Sequence, residues 1–79
     1  MRKKLLCQLD VGETAIITEL NASGSIRRRL QDLGFVPGNR VTCIGVSPLG
    51  DPKSFRISNT IIALREEDSG QLLGELDLN

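Results

Sequence analysis

Three consecutive arginines, Arg27, Arg28 and Arg29, open the segment RRRLQDLGFVPG. Their planar five-donor guanidinium groups suit carboxylates, phosphates and aromatic faces. Ile26, Leu30 and Leu33 stand at i, i+4 and i+7. That is one stripe of a helical period, so the segment predicts a short helix with these three residues toward the core. The arginines then sit in its first turns, at the end that already carries partial positive charge. Each costs ~0.3 kcal/mol or more there. Arg28 can pair with Asp32 one turn on, in the weaker orientation. Cations placed against the helix dipole mark one of two things: a contact surface or a solvated basic face.

A second stretch with interaction chemistry is Pro48-Leu49-Gly50-Asp51-Pro52. Two prolines bracket it, so it predicts a stiff loop. Leu49 within it is either an exposed apolar tip, as docking sites have, or a plug folded over one end of the domain.

Catalytic chemistry is not legible. There is no histidine among the 79 residues, which removes the commonest general base and the commonest metal ligand together. No Ser/His/Asp or Cys/His set can form. No phosphate-binding glycine pattern is present. Glu66, Glu67 and Asp68 are adjacent, so their side chains diverge. They read as a solvated acidic turn without the ligand count of a dedicated hard-cation site. No catalytic residue, cofactor, metal site or small-molecule substrate is expected. Cys7 and Cys43 form no C-x-x-C pair. They read as reduced thiols of a cytoplasmic protein, Cys43 in the core. Ten basic and ten acidic residues cancel, which argues against a nucleic-acid binder. The N-terminal apolar run is too short for a signal peptide, and no stretch is long enough to span a membrane. Any membrane link must come through a partner.

The elements that must position these groups are short. One domain over residues 1–79 is expected, with a small, mostly aliphatic core, because Phe35 and Phe55 are the only aromatics. Leu5, Leu6 and Leu9 read as an apolar segment packed across one end. Strands are expected over 14–20, 40–47, 54–58, 60–65 and 71–78. In the first, Ile16 and Leu20 are expected on one face, with Ala15, Ile17 and Glu19 on the other. Gly45 signals a bulge or bend. Gly74 reads as a gap in a face formed by Leu72, Leu76 and Leu78. The helix lies between the first and second of these strands, capped by Ser23 or Ser25 and ended by Gly34. Pro37-Gly38 has type II turn chemistry, and Asn59-Thr60 is a plausible tight turn. Five short, regularly spaced strands with one helix make a mainly β fold, a small barrel.

The ordered set of motifs resembles the FeoA family of bacterial ferrous-iron uptake. It comprises Gly12-Glu13, then Arg28-Arg29-Leu30 with Asp32-Leu33-Gly34-Phe35, then Pro37-Gly38, Pro48-Leu49-Gly50-Asp51-Pro52 and Ile62-Ala63-Leu64-Arg65. Two departures stand out: Ser58-Asn59 where the family often has glycine, and Asp68 where it usually has alanine. The resemblance implies an SH3-like barrel with no enzymatic activity. It also implies one partner, the cytosolic GTP-binding part of the FeoB membrane transporter. Arg27, Arg28, Arg29, Leu49, Gly50, Asp51 and Pro52 are the expected contact residues. The alternative is a free-standing relative of the SH3-like C-terminal domain of metal-dependent repressors, binding protein segments or transition metal. A chain with its own start methionine and no DNA-binding half favours the first reading.

Overall fold

The structure is a computed structural model and describes residues 2–78. Six antiparallel strands form one sheet: β1 (Lys3–Leu5), β2 (Thr14–Leu20), β3 (Arg40–Val46), β4 (Lys53–Ile57), β5 (Thr60–Leu64) and β6 (Leu72–Asp77). A 3₁₀ turn (Leu6–Gln8) follows β1. Helix α1 (Gly24–Leu33) lies between β2 and β3, and a one-turn helix α2 (Glu66–Ser69) between β5 and β6. The strand order is β1-β6-β2-β3-β4-β5. β1 and β5 are therefore edges, and the ladder does not close into a full barrel.

The sheet has one strand more than the sequence predicts, because β1 is too short for an alternation pattern to show. The long helix accordingly falls between the second and third strands. Turn chemistry accounts for most of the rest. Gly34 ends α1 at φ 101, the left-handed conformation that glycine adopts without steric cost. The side-chain amide of Asn39 donates to the Gly34 carbonyl at 2.7 Å and fixes the exit. The Asn39 amide closes the Val36–Asn39 turn at 3.1 Å, with Gly38 at φ 98, as type II geometry requires. Ser23 caps α1 through its backbone only; its side chain makes no cap bond.

The core takes both phenylalanines, each with no exposed surface, together with Leu6, Leu9, Ala15, Ile17, Leu30, Val41, Cys43, Ile57 and Leu72. Three expectations about facing need correction. Ala15 and Ile17, not Ile16, point inward in β2, and Leu20 joins them. The pairing of β2 with β6 shifts between Ile17 and Glu19, and an extra residue in a strand reverses its parity. Ile26 is 41% exposed, and only Leu30 of α1 is fully buried, so the helix is anchored through its later turns. Leu78 is exposed while Leu76 packs on the core. The bulge expected at Gly45 is present, between Cys43 and Gly45.

Gly74 is not a gap. A Cβ there would lie 2.9 Å from the Cβ of Ala15 and 3.3 Å from the Ile16 carbonyl oxygen. Glycine is what lets β6 and β2 approach under Leu6. Nearby, the Lys53 ammonium donates to the carbonyls of Cys7 (2.9 Å) and Leu9 (2.6 Å). It satisfies the carbonyls of the 3₁₀ segment, which no strand can reach. Beside it, the Glu13 carboxylate accepts from the Asp10 amide and from Lys4, each at 2.8 Å. These two bonds, the backbone one first, hold its pKa below the usual carboxylate value.

Candidate functional site

The three arginines share a sequence run but not a role. Arg27 turns back along the helix. Its guanidinium donates to the carbonyls of Leu20 (2.7 Å) and Ala22 (3.3 Å), satisfying the chain just before α1. Arg29 reaches α2 and pairs with Asp68 at 2.8 Å. Arg28 is exposed, and its side chain takes part in none of the side-chain hydrogen bonds or ion pairs among the described residues. The pair expected between Arg28 and Asp32 is not among the ion pairs of the described residues. Two arginines thus hold the helix in place, which offsets the cost of their position against its dipole. All three are exposed, but of the three only Arg28 has no side-chain partner among the described residues.

The loop after β3 is stiff, as its prolines require, and self-bonded. Ser47 is its organiser. Its hydroxyl donates to the Asp51 carbonyl at 2.9 Å and accepts from the Leu49 amide at 3.3 Å. Its own amide donates to the Pro52 carbonyl, and its carbonyl accepts from Gly50. Gly50 sits at φ 90, so a side chain there would strain the turn. The result is an apolar tip: Leu49 is 95% exposed. Of the two possibilities for Leu49, the structure has the exposed tip and not the plug. Asp51 is exposed as well, but its carboxylate is held to the domain, accepting from the Glu66 amide at 2.8 Å at the start of α2.

α2 therefore touches both expected stretches, Asp51 at its start and Arg29 through Asp68. Shallow clefts flank it. One, of about 590 Å³, is lined by Leu5, Cys7, Asp51, Glu66 and Glu67 among others. The other, of about 320 Å³, is lined by Ser25, Ile26, Arg29, Glu67 and Asp68. Glu67 borders both, so the surface from α1 to the loop is continuous across α2. From sequence these acids read as a solvated turn. Local patterning could not show that Asp68 meets a residue 39 positions away.

Cys7 is half-buried in the larger cleft. Burial, with the charge of Glu66 nearby, pushes its thiol pKa up. The thiolate that would attack an electrophile or bind a soft metal is thereby disfavoured. Among the described residues no group of three or more His, Cys, Asp or Glu side chains converges as a metal site would require. No helix among them is long and apolar enough to cross a membrane. The arrangement offers a charged and apolar contact surface.

Comparison with known proteins gives this surface a setting. Residues 4–76 match the model of the FeoA domain family. A protein of Porphyromonas gingivalis, described as an Fe(2+) transport protein A/Fe(2+) transporter FeoB fusion protein, is 35% identical over 71 residues. That match covers 90% of this chain and 8% of the fusion protein. The solution structure of iron(II) transport protein A from Clostridium thermocellum superposes with a TM-score of 0.89 at 36% identity, covering 92% of this chain and 45% of that one. Stenotrophomonas maltophilia FeoA, solved with zinc and described as an SH3 domain protein, gives 0.75 at 29% identity, covering 91% and 87%. Similarity to metal-dependent repressors, at 17% identity or less, is a likeness of fold alone.

Proposed function

The chain belongs to the FeoA family, and we propose that it works as an accessory protein of ferrous-iron uptake by touching the cytosolic part of a FeoB-type transporter. The observation that carries this reading is the fused relative, in which a segment 35% identical to this chain is part of one polypeptide with a FeoB transporter. Fusion holds two modules at high effective concentration and is useful where they must meet. The chain spans only 8% of that protein, so transport itself would belong to the partner and contact to this chain. A cytoplasmic location follows from the same reading.

The contact stretches on this reading are Arg27–Arg29 and Leu49–Pro52. Arg28 and Leu49 supply the contacting groups. Arg27, Arg29 and Asp51 set the helix and loop around α2, and Gly50 and Pro52 shape the tip. An arginine and a rigid apolar residue are side chains that carry binding energy at interfaces. The test is affinity for the purified cytosolic region of the transporter. Arg28→Glu and Leu49→Asp should each weaken binding by about tenfold or more, with the amide spectrum of the fold unchanged. Full affinity in the double variant would rule out these contact residues.

A further inference from the structure

The two edges of the sheet are built differently. β1 is three residues long, carries Lys3 and Lys4, and has the Leu5 amide occupied by the Gln8 side chain at 2.9 Å. Short length, lysines and a covered donor are the usual means of keeping an edge from pairing with another chain. β5 has none of them. It reads TIIAL, without charge, proline or bulge, and pairs in unbroken register with β4.

The register shows which of its groups are open. Ser58 and Asn59, at φ 48 and 67, form a two-residue turn of the type in which the flanking residues are hydrogen-bonded to each other. Here those are Ile57 and Thr60. Antiparallel alternation then bonds Phe55 to Ile62 and Lys53 to Leu64. The main-chain groups of Ile61 and Ala63 face away from β4. Neither residue makes a backbone bond outside the sheet among the described residues, and Ile61 is 59% exposed.

Charge decides what could pair there. Residues 53–65 hold three basic residues, Lys53, Arg56 and Arg65, and no acid, in a chain of zero net charge. Lys53 is turned inward to its carbonyls. Arg56 lies cross-strand from Ile61, and Arg65 follows β5; both are exposed. A second copy would set this basic hairpin against itself. We infer that the β5 edge accepts an extended, carboxylate-bearing segment of another protein by strand addition. Main-chain bonds form to Ile61 and Ala63, and carboxylates on the outer face meet Arg56 and Arg65. The segment's inward residues are apolar, continuing the row of Ile62 and Leu64. This edge is separate from Arg28 and Leu49, and the inference does not rest on the transporter reading.

The probe is a seven-residue peptide alternating valine and glutamate, with a valine–lysine peptide as control. Amide hydrogen exchange of the full chain is followed by NMR at neutral pH. In the free protein Ile61 and Ala63 should exchange faster than Thr60, Ile62 and Leu64. The glutamate peptide should slow those two selectively and bind about tenfold more tightly than the lysine peptide. Arg56→Glu combined with Arg65→Glu, both at exposed positions, should invert that preference. Ile61→Pro, which removes an outward donor, should weaken binding of both peptides. Three outcomes would overturn the inference: no protection at millimolar peptide, equal protection by either peptide, or protection that rises with protein concentration alone.

Discussion

The floor of the domain and its rim use the same kinds of side chain to opposite ends. At the floor, Lys53 spans two carbonyls, Glu13 holds an amide and an ammonium, and Gly74 admits Ala15 at contact distance. Among the described residues no buried side-chain nitrogen or oxygen lacks a partner. At the rim, Arg28 and Leu49 are fully presented, while their neighbours Arg27, Arg29 and Asp51 are bound internally. The difference teaches how to read a charged run: the neighbours are committed to positioning, and the one residue without an internal partner is the one available to another molecule.

That contrast can be broken by substitution, beginning where the floor is tightest. Gly74→Val should cost about 3 kcal/mol, the upper end of what overpacking a filled site costs. Denaturant unfolding would measure it, and a small loss would mean that β2 and β6 are less closely packed than described. Lys53→Met should cost about 2 kcal/mol, because the carbonyls of Cys7 and Leu9 lose charged hydrogen bonds. The same unfolding series would show it.

Glu13 sharpens the comparison through pH. Its pKa is lowered in the fold by the Asp10 amide and Lys4. Its contribution is therefore present above the ordinary glutamate pKa and lost as pH falls through the lowered folded value. Glu13→Gln should flatten the acid limb of stability against pH in that window and leave neutral and alkaline behaviour nearly unchanged. At the rim, Leu49→Asp and Arg28→Glu should each change stability by no more than about 0.5 kcal/mol. A larger loss at either would show that the rim residue supports the fold.

Much of this architecture was legible in short-range chemistry. Gly34, Pro37-Gly38, Gly45 and the Pro48–Pro52 bracket each announce a local backbone geometry, and the structure has all of them. What was not legible is long-range. The parity of β2 depends on a bulge opposite β6, which no alternation rule within residues 14–20 can reveal. The glycine at 74 is dictated by Ala15, and the Asp68 carboxylate by Arg29, both distant in sequence. β1 was missed because three residues carry no period. The stiff loop followed from the sequence, which left Leu49 as either tip or plug; the division of labour among three adjacent arginines did not, because it depends on where carbonyls and a carboxylate arrive from other elements.

The proposal that Arg28 and Leu49 meet the transporter can be tested directly. It is tested by an amide NMR titration of the labelled chain with the cytosolic GTP-binding region of a FeoB-type transporter, with and without nucleotide. Shifts should concentrate at residues 27–29 and 49–52, with α2 moving between them and the floor unchanged. Absence of shifts at high partner concentration, or shifts confined to the floor around Glu13 and Lys53, would contradict it.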